Sequence, residues 1–150
     1  MPRSTHDSPE VTELLRRAIA HPDRADHPGE LDDAVVISGA GLQQGVTVTY
    51  RITPGAPGTG IVVRRTDVVS PDQPHGHDIP VREAFVTNAD KLIILYDGTQ
   101  GFAGPEHLFS AEYAFGIDNV VNGVDNFQAP VMANNAKAFA DALAQAPWVA

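Results

Sequence analysis

The stretch "GAGLQQGVTVTYRIT", Gly39–Thr53, decides between two architectures. Its first half, Gly39–Gly45, looks like a glycine loop that cradles a phosphate. A dinucleotide-binding loop of that kind opens directly into a helix, so that the phosphate meets the helix N-terminus. A strand pattern follows here instead. Val46, Val48, Tyr50 and Ile52 alternate with Thr47, Thr49, Arg51 and Thr53, the period of two of a half-buried strand. The glycines are therefore read as a connection between two strands, not as a nucleotide site.

Outward from this strand, "AVVIS" (Ala34–Ser38) and "GIVVRR" (Gly60–Arg65) read as strands on either side, with "PGAPGTG" (Pro54–Gly60) as turn chemistry between the second and third. "KLIILYD" (Lys91–Asp97) is a further strand, apolar enough to be central, and "IDNVVNGVD" (Ile117–Asp125) is another. Two helices are predicted, from Glu106 to about Phe115 and from Asn135 to about Gln145. On the second, Ala136, Phe139, Ala140 and Leu143 make one apolar face. Strands first and helices later, with hairpin-length joints, predict an α+β fold: a mostly antiparallel sheet packed on two helices.

Residues 1–30 read as a separate extension. "SPEVTELLRRAIA" (Ser8–Ala20) has a helical pattern, with Ser8 at the N-cap and Pro9 at the first helical position. "HPDRADHPGE" (His21–Glu30) is a polar, proline-containing linker. His6, His21 and His27 are read as solvated. The division expected is a helix and linker over 1–30 and one α+β domain over 31–150.

The 150 residues suffice for one independent core, since a chain of that size buries roughly two-thirds of its unfolded surface. The net charge of −9 and the scattered basic residues disfavour a nucleic-acid partner. No apolar run is long enough to span a bilayer, and "MPRSTHDSPE" lacks the apolar stretch of a secretory signal. The expected location is the cytoplasm. With no cysteine present, any metal must be held by His, Asp or Glu.

Three blocks carry a family resemblance. "SGAGLQQGVTVTYRITPGAPGTGIVVRRTDV", "GPEHLFSAEYAFGIDNVV" and "QAPVMANNAKAFADAL" occur in order between about Val35 and Ala146. Together they resemble the N-terminal domain of UDP-3-O-acyl-N-acetylglucosamine deacetylase (LpxC), the zinc enzyme of lipid A biosynthesis. The resemblance implies a sheet packed on two helices. It also implies that Glu106, of the "EH" pair, is a general base and that His107 is a zinc ligand. The sequence departs from the pattern as well. It ends where the family's first domain ends. The second domain, which supplies a His and an Asp as further zinc ligands and another catalytic His, has no counterpart in these residues. Gln43 stands where the family has a histidine, and "MANN" (Met132–Asn135) stands for the family's "MDGS".

Catalytic zinc takes three protein ligands and a water, whose proton a nearby carboxylate removes. His107 alone does not make such a site. The other close cluster is "PHGHD", where His75 and His77 have a ligand spacing if the segment is extended, because alternate residues of a strand point the same way. His75, His77 and His107 with Glu106 would form a complete hydrolytic set. Read without the resemblance, Glu106 is a dipole-stabilised acid at a helix start, His107 a hydrogen-bonded histidine beneath the sheet, and "PHGHD" part of a solvated loop.

The leading expectation is thus a zinc-dependent, deacetylase-like hydrolase acting on a small amide or N-acyl substrate. A non-catalytic relative that binds a ligand or partner is the alternative, and a metal-free acid–base isomerase or cyclase using Glu106 and His107 is a third. In the family the second domain covers the helices of the first. An exposed apolar surface is therefore expected around Leu108, Phe109, Phe115, Phe139 and Leu143. That surface would favour a homodimer, or a partner chain of the same fold, bringing two copies of His107 towards one cleft.

Overall fold

A computed structural model describes residues 31–41, 45–82, 85–89, 92–130 and 136–148. The expected N-terminal helix and linker, the histidines at 6, 21 and 27, Gln43 and Met132–Asn135 lie outside the described residues.

The alternation in Gly39–Thr53 is realised as expected. Strand β1 (Val35–Ala40) and strand β2 (Thr47–Pro54) form an antiparallel hairpin whose last pair is Ala40 with Thr47. Gly45 takes a left-handed φ of 81° in the connection, and Gly41 N donates to Val46 O at 2.8 Å to close it. Val48, Tyr50 and Ile52 are wholly buried, while Thr47 and Arg51 face outward.

Strand β3 (Ile61–Arg65) does not lie beside β2, although it follows it in sequence. Strand β8 (Val120–Val124) is inserted between them, antiparallel to β2 and parallel to β3. The turn chemistry of "PGAPGTG" therefore joins two strands that are not neighbours, and the segment crosses the start of β8. Asn119 accounts for its path. Its Oδ1 accepts hydrogen bonds from Gly58 N and Gly60 N, each at 3.1 Å, and its carbonyl accepts one from Gly55 N at 3.0 Å. Gly58 and Gly60 have φ of 87° and 68°, values that side-chain-bearing residues rarely adopt.

Strand β4 (His77–Pro80) completes a five-stranded sheet in the order β1-β2-β8-β3-β4. It pairs antiparallel with β3, and Arg64 and Asp78, cross-strand partners, form a two-pronged ion pair at 2.6 and 3.0 Å. A second, antiparallel sheet consists of β5 (Val86–Ala89), β6 (Leu92–Tyr96) and β7 (Gly101–Ala103). As its apolar sequence suggested, β6 is the middle strand. The fold is therefore α+β and mostly antiparallel, with β3–β8 the parallel pair.

Helices α1 (Glu106–Ala114) and α2 (Lys137–Ala144) pack on each other and into the core. Tyr50 meets Phe102 and Phe139 edge-on, with ring centroids 5.7 and 5.8 Å apart. The exposed helical surface expected from the sequence is not found. Leu108, Phe139 and Leu143 are at most 1% exposed, because the inward side chains of the sheet need a cover and these residues supply it. Phe109 and Phe115 are half-buried, and Phe115 stacks on Trp148 at 5.6 Å. The burial removes the apolar patch from which self-association was inferred. Among the described residues no helix is long and apolar enough to cross a membrane.

Candidate functional site

The β7–α1 junction carries the acid–imidazole pair, and several interactions hold it in place. At the start of β7, the Arg65 guanidinium donates to Gly101 O at 2.8 Å while gripping Asp67 with two bonds of 2.8 and 2.7 Å. Arg65 is buried, so this strut fixes β7 against β3. The paired guanidinium, opposing the effect of burial, holds the Asp67 carboxyl below the usual carboxylate range. At the other end of β7, Ala103 N donates to Phe127 O at 2.7 Å, and Ala129 N donates back to Ala103 O at 2.9 Å. Gly104 then turns the chain with a φ of 76°, its N–H bonded to Ile93 O at 2.9 Å. Pro105 follows as the helix cap, its carbonyl accepting from Phe109 N at 3.0 Å.

Glu106 is the first residue of α1, where the helix dipole favours a negative charge. The residue is half-buried, yet its Oε2 is sealed from solvent with no hydrogen-bond partner among the described residues. The carboxylate therefore turns one oxygen into the protein. His107 is half-buried beside it, and no hydrogen bond within the described structure occupies its ring. The sequence placed these two residues at the mouth of a helix, and that is where they lie.

Three buried polar side chains escaped the sequence reading. Glu112 lies six residues along α1 and is completely buried, as is Asn122 on β8. Asn122 Nδ2 donates to both Glu112 oxygens, at 2.7 and 3.2 Å. Burial pushes the Glu112 carboxyl up to about 8, against the smaller opposing effect of the Asn122 donor. Burial thus favours the neutral form of Glu112 in the folded protein. Tyr50 is the third. Burial first, then the Glu112 and Glu106 carboxyls, raise its phenol well above the usual tyrosine range and keep it protonated. The signal for all three was positional. Glu112 follows Leu108 by one helical turn, Tyr50 falls on the inward register of β2, and Asn122 interrupts an apolar run.

His75 and His77 are not brought together with His107 in a ligand group. The reason lies between them: Gly76 has a φ of 121°, which breaks the extended geometry that a shared face requires. A Cβ at Gly76 would lie 2.7 Å from Arg65 O, so the break is built into the packing. His75 is exposed, and β4 begins only at His77. The His77 ring is engaged at both nitrogens, Nδ1 with Gln73 Oε1 at 3.1 Å and Nε2 with Asp97 Oδ2 at 2.6 Å. Asp97 also accepts the N–H groups of Thr99 and Gln100, at 2.8 and 2.9 Å. Burial works against ionisation of Asp97, but Gln100, His77 and Thr99 together outweigh it and keep the carboxyl low. The arrangement ties β4 to the β6–β7 turn. Among the described residues, no three His, Asp or Glu side chains are grouped as a metal site.

Comparison with known proteins bears on this corner. A family model described as UDP-3-O-acyl N-acetylglycosamine deacetylase (LpxC) matches residues 29–150, a span that contains Glu106 and His107. The UDP-3-O-acyl-N-acetylglucosamine deacetylase of Solibacter usitatus is 35% identical over 112 residues, covering 75% of this chain and 36% of its own. That of Nautilia profundicola is 37% identical over 101 residues, with 67% and 32% covered. That of Vibrio atlanticus is 35% identical over 116 residues, with 77% and 37% covered. The chain spans about a third of the length of the curated relatives it matches.

Proposed function

The chain belongs to the LpxC family of UDP-3-O-acyl-N-acetylglucosamine deacetylases, and from that membership we propose that it carries the acid–base corner of a hydrolase that frees an amine from an N-acyl substrate. The observation that carries the reading is the Glu106 carboxylate. It stands at a helix start with one oxygen sealed inside the protein, next to an imidazole whose ring has no hydrogen bond among the described residues. A carboxylate with one oxygen turned into the protein leaves the other as the one that can reach a water molecule.

In this reading Glu106 takes a proton from water as the oxygen adds to the acyl carbon. Glu106 then returns the proton to the amide nitrogen as the carbon–nitrogen bond breaks. The products are a carboxylate and an amine. His107 is proposed as one metal ligand, as the family resemblance implies. The described residues do not fit a complete zinc site, because three protein ligands are the norm and no such group is found among them. Further ligands are proposed to come from outside the described residues, or from a second chain, and no step above depends on the metal.

The printed name of the relatives supplies the first substrate to try. With zinc in the buffer, acetate release from UDP-3-O-acyl-N-acetylglucosamine and from simple N-acetyl hexosamines should be followed with the purified protein. Release from at least one of them supports the reading. A folded protein that releases acetate from none contradicts it and favours a relative that only binds.

A further inference from the structure

Helix α1 is anchored to the core by few side chains, and one of them is an acid. Leu108, Ala111 and Glu112 are its buried residues. Glu112 receives Asn122 Nδ2, from the middle strand β8 of the five-stranded sheet, at 2.7 Å on one oxygen and 3.2 Å on the other. Both side chains are wholly buried. Left-handed glycines bound the helix, Gly104 before it with a φ of 76° and Gly116 after it with a φ of 70°. Each end therefore has a residue that tolerates a wide range of backbone angles, as hinges require.

We propose that the Glu112–Asn122 contact is a proton-operated clasp: with the carboxyl protonated it holds α1, and the Glu106–His107 corner at its start, against β8, and loss of that proton lets α1 open while the sheet stays folded. What the opening means for catalysis rests on the hydrolase reading above; the clasp itself does not.

The surroundings of Glu112 offer an ionised carboxylate little. Its hydrogen-bond donor among the described residues is the Asn122 amide. From β2, Tyr50 faces the same core with a phenol that stays protonated. From β3, the inward cation Arg65 is taken up by Asp67 and Gly101 O. From α2, Lys137 and Asp141 are exposed and pair with each other at 2.7 Å. On α1 itself, Glu106 and His107 lie at the far end of the helix. Among the described residues no ion pair reaches Glu112. A buried charge without a counter-charge is costly, and opening the helix to water relieves that cost. Burial accordingly pushes the folded carboxyl up to about 8, over the smaller opposing effect of Asn122. With two apolar anchors besides the acid, α1 has less to hold it than β2, which is bonded to β1 on one side and β8 on the other.

Native-state hydrogen exchange of the whole chain, corrected for the pH dependence of intrinsic exchange, reads the opening. An exposed glutamate keeps its proton up to about 4.5 and the clasped one up to about 8. Each pH unit between those values favours the open helix about tenfold. Protection of the α1 amides should therefore fall on the order of 10³-fold across the interval and level off above it. The β2 amides should stay better protected than those of α1 throughout. Glu112→Gln should flatten the α1 profile. If that variant does not fold, Glu112→Leu combined with Asn122→Leu, which removes both polar partners at once, should flatten it too. Equal protection of α1 and β2 at every pH would mean that only the whole domain opens, and overturns the proposal. A flat wild-type α1 profile, or a slope that survives the substitutions, overturns it as well. No substrate enters the measurement. A failed clasp leaves the hydrolase reading standing, and a protein that hydrolyses nothing can still show the pH-dependent opening.

Discussion

Glu106→Gln lowers acyl release by about 10²–10⁴-fold, the range expected when a positioned general base is removed. The substitution keeps the volume and the polarity of the side chain and takes away only its capacity to accept a proton. The surrounding structure gives no reason for the fold to change. Glu106 contributes no described side-chain hydrogen bond to the helix start, and its backbone carbonyl still accepts the Ser110 hydroxyl at 2.7 Å. The turn before it is held by Gly104, Phe127 and Ala129 through backbone bonds that the substitution does not touch. A parallel measurement of circular dichroism and denaturation midpoint separates lost chemistry from lost structure. Wild-type rates in a folded Glu106→Gln protein would remove Glu106 from the mechanism.

The second large effect concerns stability. Glu112→Gln makes the protein more stable at about pH 8 by about 2–4 kcal/mol and leaves it nearly unchanged at about pH 4. Below 4.5 the Glu112 carboxyl is protonated in both folded and unfolded chains, and the stability that goes with its neutral form is fully present. As pH rises towards about 8, the unfolded carboxyl ionises while the folded one stays protonated. Every step upward in that window favours unfolding, because the unfolded chain binds fewer protons. At about 1.4 kcal/mol per pH unit, the interval sets a ceiling on the order of 4–5 kcal/mol. Glutamine has the same shape, carries no charge at any pH, and can donate to Asn122 Oδ1, which has no partner among the described residues. Asp67 and Asp97 act in the opposite sense. Their carboxyls are depressed in the fold, so their contribution is present above the unfolded value near 3.8 and is lost as pH falls below it. That window lies under the Glu112 window, and the difference between variant and wild type cancels it. Urea midpoints across the pH range decide the matter: parallel profiles for the two proteins would show that Glu112 is not a neutral buried acid.

Much of this fold could be read directly from residue patterns. The Val46–Thr53 alternation put Val48, Tyr50 and Ile52 inward, and both helices lie within the expected stretches. Strand order was a different matter. Nothing local in "PGAPGTG" tells that β8, from far along the chain, separates β2 from β3, because that pairing is made by distant residues. Strands β4, β5 and β7 have three or four residues each, too few to show a period, and β4 begins amid prolines and polar side chains. The candidate site divides along the same line. Glu106 and His107 were visible because a proline, an acid and an apolar helix pattern sit together in sequence. The polar group of Tyr50, Glu112 and Asn122 was not, because its members come from three elements and meet only in the folded core. The His75–His77 spacing suggested a shared face, and the left-handed backbone at Gly76 removes it.

Crystals grown with zinc and measured at the zinc absorption edge test the central claim, that the Glu106–His107 corner is the chemical centre. An anomalous peak about 2.0–2.1 Å from a ring nitrogen of His107, on the side where the free Glu106 oxygen can reach a bound water, is the predicted result. Zinc located elsewhere, with the His107 ring turned away from it, would contradict the account.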